Sequence, residues 1–150
     1  MRITKENTIG LIIDIQERLV PAMFEKETLL KNCQVLISGL NELGIQLIVT
    51  QQYTKGLGET AKEISEVIPG FNYIEKRDFS CCDEPVFAEK LKDLSAKNII
   101  ICGIESHVCV LQPSCGDGLC FIACSGQYRN CQRAIQVGGN HDDFLRIRSF

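Results

Sequence analysis

Three short stretches constrain the fold most: residues 8–15 (TIGLIIDI), 45–50 (IQLIVT) and 98–102 (NIIIC) are almost continuously apolar. A strand with one wet face alternates apolar and polar residues, whereas an unbroken apolar run of this length is buried on both faces, as in a parallel sheet covered by helices. Helical patterns separate the runs. Over residues 26–43, Leu29, Cys33, Leu36, Leu40 and Leu43 recur at helical spacing and Gly44 stands at the C-cap position. A weaker helix is expected over 60–67, a turn at Pro69-Gly70 and an extended stretch over 73–75. A further helix is expected from Pro85 to about Leu94, with Val86, Phe87, Leu91 and Leu94 as its buried stripe and Asp83 or Glu84 near its positive end. This order predicts an α/β fold of three layers, α/β/α, around a parallel Rossmann-like sheet.

With 150 residues, of which 45% are hydrophobic, the chain can bury one core, so one domain is expected. A net charge of −3 provides no broad basic field for nucleic acid. No apolar run approaches the roughly 20 residues needed to span a bilayer. The expected partner is a small molecule, not nucleic acid or membrane. The first residues, MRITKENTIG, lack the apolar stretch of a secretory signal, which points to the cytoplasm. Nine cysteines without a CxxC pair, in a reducing compartment, read mostly as free thiols.

Ligands of parallel sheets bind at the carboxyl ends of the strands. Asp14, Lys76 and Cys109 each stand at or just after such an end, so this topology could gather three residues that are far apart in sequence. The stretch GIESHVC carries most information. Gly103 permits a sharp turn, Ser106 is a good N-cap, and Cys109 falls at the third position of the next helix, near its unpaired N–H groups. An unperturbed cysteine is only about 3% ionised at pH 7, and a fall of about two pKa units would make thiolate the main form. Lys76 would supply part of that shift and Asp14 would shuttle the proton. Blander readings stand beside these: a small core cysteine, a capping or surface acid, and a solvated pair in Lys76-Arg77.

LIIDIQERL, TQQYTKGLGET, EKRDFSCC and GIESHVCVLQ, in this order over residues 8–112, resemble the isochorismatase-like cysteine hydrolases, the superfamily that also holds nicotinamidases and N-carbamoyl amide hydrolases. TQQYTKGLGET is similar to the TEQYPKGLG loop of one branch, EKRDFSCC to its lysine-bearing K-x-x-FS segment, and GIESHVCVLQ to its nucleophile elbow GIETHVCVLQ. The resemblance implies Cys109 as nucleophile, Asp14 as general base and acid, and Lys76 as the group favouring thiolate and transition state. It also implies a cis peptide at Ile104–Glu105, which would aim the N–H groups of Glu105 and Cys109 into an oxyanion hole. Gln52, Tyr53 and Ile104 are expected to line the substrate pocket, and a homo-oligomer is implied.

No cofactor and no metal is expected. Nicotinamidases of this superfamily carry an Asp and two His ligands, but the corresponding loop here reads Gln51-Gln52-Tyr53 and the chain has only His107 and His141, read as an elbow residue and a surface residue. Adjacent Cys81 and Cys82 read as loop or core. Gly56 and Gly58 make no nucleotide fingerprint, which disfavours a flavodoxin-like module.

The resemblance ends at Gln112. Residues 113–150 contain no Lys and no Glu, against nine and twelve before them, and hold Cys115, Cys120, Cys124 and Cys131. Pro113 interrupts the elbow helix. The chain therefore divides into an incomplete hydrolase domain over 1–112 and an atypical tail over 113–150, with the last strands missing or replaced. A reading-frame slip accounts for such a tail: read one base later, degenerate codons for 120–127 permit an apolar strand. The expected consequence is an unpaired sheet edge, poor stability and impaired activity.

Overall fold

The computed structural model describes residues 4–94, 96–105 and 109, together with the backbone of three later strands, 120–124, 135–137 and 146–147. The first strand, β1 (Thr8–Ile13), is followed by helix α1 (Lys26–Glu42), β2 (Gln46–Gln52), the short helices α2 (Thr54–Leu57) and α3 (Lys62–Ser65), β3 (Ile74–Lys76), α4 (Pro85–Asp93) and β4 (Asn98–Gly103). Strands β5 (Cys120–Cys124), β6 (Ile135–Val137) and β7 (Arg146–Ile147) complete one sheet in the order β3-β2-β1-β4-β5-β6-β7. Pairing is parallel from β3 through to β5 and antiparallel for β6 and β7.

All six residues of β1 are buried, as the unbroken apolar run requires at the centre of a covered sheet. Its side chains still divide between two faces. Ile9, Leu11 and Ile13 join Ile48, Ile99 and Ile101 in a cluster sealed by Phe87 and Leu91 of α4. Ile12, Val49 and Cys102 face Leu29, Cys33 and Ile37 of α1 and Ile64 of α3 in a second cluster. The three-layer α/β/α arrangement is therefore as expected. Gly10 permits the close approach of α1, because a Cβ there would lie 2.7 Å from Leu47 and 2.9 Å from Leu40 side-chain carbons.

Helix α1 ends as the sequence predicts: Gly44 adopts φ +68°, and the Ile45 N–H reaches back to the Leu40 carbonyl at 3.0 Å. The buried stripe keeps the expected Leu29, Cys33 and Leu40 with Leu36 half-buried beside them, adds Ile37, and leaves Leu43 exposed. In α4, Phe87 is buried but Val86 is exposed, and Glu84 is the N-cap without a side-chain cap bond. The 60–67 helix is a single turn, α3.

The expectation of an unpaired edge beside β4 is corrected. The tail supplies β5, which pairs in parallel with β4 from Asn98↔Cys120 to Cys102↔Cys124. The physical reason is that residues 120–124 (CFIAC) carry enough apolar and β-forming character to extend the ladder in the frame as written. Ser106, His107, Pro113, Cys115, Cys131 and His141, with the expectations attached to them, lie outside the described residues.

Candidate active site

The site lies at the carboxyl ends of β1, β2, β3 and β4, on the side of the sheet that α4 covers. Asp14 directly follows β1 and Lys76 is the last residue of β3. Each side chain is about 1% exposed, and Lys76 Nζ lies 2.7 Å from Asp14 Oδ2. The solvated reading of Lys76 is thereby set aside: strand alternation turns Lys76 inward and leaves Arg77 exposed.

Each member of the ion pair is held by further bonds. Lys76 Nζ also donates to Gln52 Oε1 at 2.6 Å, to the Phe79 carbonyl at 3.1 Å and to the Asp78 carbonyl at 3.2 Å. Three hydrogen-bond acceptors match the three ammonium protons, so the protein itself saturates this cation, and the contact with Asp14 Oδ2 is one of charge. Asp14 Oδ1 accepts from the Thr50 hydroxyl at 2.8 Å. The Asp14 backbone is left-handed, with φ +52°, a conformation that is uncommon away from glycine and typical of constrained functional positions.

Cys109 is 2% exposed and shares the α4-side cluster with Cys81. Its Sγ lies 3.7 Å from Glu105 Oε2, and it feels both Asp14 and Lys76. The expected bias toward thiolate is corrected. Burial pushes the Cys109 thiol up to about 12, the Asp14 carboxylate raises it further, and Lys76 offsets this only in part. Lys76 cannot do more, because its charge is already matched by Asp14 at hydrogen-bond distance. Cys81 is pushed up to about 12 by the same burial. It sits in the core, as one of the two readings of that residue held.

The cis peptide expected at Ile104–Glu105 is also corrected: no cis peptide bond occurs among the described residues, so this link is trans. The pocket residues divide. Gln52 spends both ends of its amide on the protein, accepting from Lys76 and donating to the Arg77 carbonyl at 2.7 Å. Tyr53 is 47% exposed and left-handed at φ +38°. Ile104 is fully buried in the cluster beneath α1, away from any open surface.

Two further glutamines shape the rim. Gln16 donates to the Gln52 and Gly58 carbonyls at 3.0 and 2.6 Å and accepts from the Gln52 N–H at 2.8 Å, stitching the segment after β1 to the loop after β2. Gln51 points to the opposite side from Gln52 and ties down Thr54, Glu59 and Thr60. Sequence reading missed Thr50, Gln16 and the bracing role of Gln51. The available signal was a set of polar residues at the ends of strands otherwise buried on both faces. Among the described residues, no group of three or more His, Cys, Asp or Glu is arranged to hold a metal ion. Nor is any described helix long and apolar enough to cross a membrane.

Comparison with known proteins agrees with this fold. The isochorismatase domain model matches residues 8–116. Isochorismatase family protein 1B of Dictyostelium discoideum is 34% identical over 152 residues, covering 97% of this chain and 71% of that protein. The chain spans less of other curated relatives, 55% and 54% of two of them. Among solved structures, the MAR1 ribonuclease of Caenorhabditis elegans superposes with TM-score 0.77 at 29% identity, over 88% of this chain and 71% of that one. The ycaC gene product of Escherichia coli, described as an octameric hydrolase of unknown specificity, shares the fold with TM-score 0.72 at 20% identity, over 85% of this chain and 67% of that one.

Proposed function

Because the chain belongs to the isochorismatase domain family, we propose that it is a metal-independent cysteine hydrolase acting on a small amide or a related C–N or ether-type substrate. The observation that carries this reading is the buried Asp14–Lys76 pair, 2.7 Å apart, beside the Cys109 thiol. A buried ion pair is costly to desolvate and adds little to stability, so its retention next to a sulfur has a ready explanation in chemistry.

In this mechanism the resting thiol is protonated. As Cys109 Sγ attacks the carbonyl carbon, Asp14 takes the thiol proton and the oxygen becomes an oxyanion, whose charge the Lys76 ammonium offsets. Collapse expels the amine, which receives the proton from Asp14, and leaves a thioester. Water then attacks the thioester, giving a proton to Asp14, and Cys109 leaves with that proton as the acid product forms, which restores the thiol and the carboxylate. Lys76, its three protons accepted by Gln52 and two backbone carbonyls, acts through its charge: it holds Asp14 in place and offsets negative charge developing on sulfur and oxygen.

The ribonuclease activity in the name of the C. elegans protein is not carried over, since a net charge of −3 is a poor match for a phosphate backbone. A homo-oligomer is proposed in keeping with the octamer of the E. coli neighbour. A second reading, a noncatalytic family member that at most binds small molecules, is favoured by one observation: a Cys109 thiol raised to about 12 is an inert one unless a base assists it.

A screen of amides, ureides and isochorismate against the chain and its Cys109→Ala form tests the proposal. Turnover that vanishes in Cys109→Ala is expected. Absence of turnover together with alkylation of Cys109 no faster than that of the other free cysteines would establish the noncatalytic reading.

A further inference from the structure

We infer that Thr50 is a positioning residue for the general base: it acts through Asp14, fixing the carboxylate and favouring the ionised form that can receive a proton from sulfur. The inference rests on the reading of Asp14 as the base.

Thr50 is fully buried near the end of β2, where a valine would serve packing and strand propensity equally well. Its hydroxyl is therefore the feature to explain. Two bonds run between Thr50 and Asp14, residues 36 apart in sequence: the Thr50 hydroxyl donates to Asp14 Oδ1 at 2.8 Å, and the Asp14 N–H donates to the Thr50 carbonyl at 3.2 Å. The second holds the left-handed turn at Asp14, and the first stops rotation of its carboxylate. With Oδ1 held by Thr50 and Oδ2 by Lys76, the acid presents a fixed face to Cys109. A hydroxyl donated to a carboxylate favours its charged form, and only that form can act as base.

Among the described residues, the titratable and charged groups facing Asp14 are Lys76 from β3, Cys81 from the turn over Cys81–Asp83, and Cys109, which itself faces Glu105. None of these is altered by Thr50→Val, so a change in pH response reports the hydroxyl.

The test is the rate of Cys109 carboxamidomethylation by iodoacetamide between about pH 4 and pH 9, followed by peptide mass spectrometry. The unaltered chain is expected to show an acid limb that Asp14→Asn removes. Thr50→Val is expected to move that limb up by about one pH unit, while Thr50→Ser, which keeps the hydroxyl, leaves it in place. Thermal unfolding verifies that each variant is folded, and Thr50→Ala replaces Thr50→Val should the latter fail to fold. A limb unmoved by loss of the hydroxyl, or moved as far by serine as by valine, would overturn the assignment of Thr50 alone. No acid limb in the unaltered chain, or one that survives in Asp14→Asn, would overturn both Thr50 and Asp14.

Discussion

Gln52 Oε1 accepts from Lys76 Nζ at 2.6 Å while the same amide donates to the Arg77 carbonyl, so one side chain grips the ammonium and the backbone just beyond it. Gln52→Leu removes the acceptor from a buried cation. A loss of about 1.5–3 kcal/mol in urea unfolding is expected, larger than an ordinary surface change produces. A midpoint unchanged within error would show that the remaining acceptors suffice.

Lys76→Met leaves the Asp14 carboxylate buried without its partner. At neutral pH this is expected to cost about 3–5 kcal/mol. The cost should shrink in acid, where the carboxylate can take a proton instead. The double variant Asp14→Asn/Lys76→Met should recover much of the loss, and a double-mutant cycle by chemical denaturation measures the coupling.

Burial pushes the Cys81 and Cys109 thiols up to about 12 in the folded chain, against an ordinary value near 9. Below pH 9 both are protonated whether folded or unfolded and the pH dependence they cause is nil. Between pH 9 and pH 12 the unfolded chain loses these protons and the folded chain keeps them, so stability falls as pH rises. The slope is about 1.4 kcal/mol per pH unit for each thiol. Unfolding midpoints at pH 8 and pH 10 should show the decline, and Cys81→Ala should reduce it by roughly half; equal midpoints would count against the burial of these thiols.

Gly58 adopts φ +82°, a region that side chains disfavour, where its carbonyl takes the 2.6 Å bond from Gln16. Gly58→Ala is expected to destabilise by about 1–3 kcal/mol through backbone strain. Hydrogen exchange should then show the loop over residues 53–60 opening before the sheet does.

Much of the architecture could be read from the chain because burial on both faces leaves a direct mark: the unbroken apolar runs at 8–15, 45–50 and 98–102 are β1, β2 and β4 to within two or three residues. The convergence of Asp14 and Lys76 followed from the same marks, since strand ends of a parallel sheet share one rim. What could not be read depended on distances. The ionisation of Cys109 is decided by how completely it is desolvated and by a carboxylate that cancels Lys76, and neither is encoded in local spacing. On α1 the sequence marks Leu29, Cys33 and Leu40 as buried but cannot choose between Leu36 and Ile37, which are equally apolar, so packing alone decides that Ile37 is the fully buried one. The roles of Gln51 and Gln52 were hidden for a related reason: adjacent residues of identical type are sent by the pleat to opposite duties.

That pleat has a consequence for how the rim tolerates change. Thr50 and Gln52 face the ion pair while Gln51 faces the loop, in a ladder pinned by Ile13↔Thr50 and Gln52↔Lys76. Deleting a single residue upstream within β2 would keep its hydrogen-bonding ladder yet shift the pairing by one, presenting Gln51 to the acid and turning the hydroxyl away. Such a chain could fold to a sheet of normal appearance with the proposed site dismantled, so in the proposed mechanism alignment of this strand matters as much as the identity of Asp14, Lys76 and Cys109.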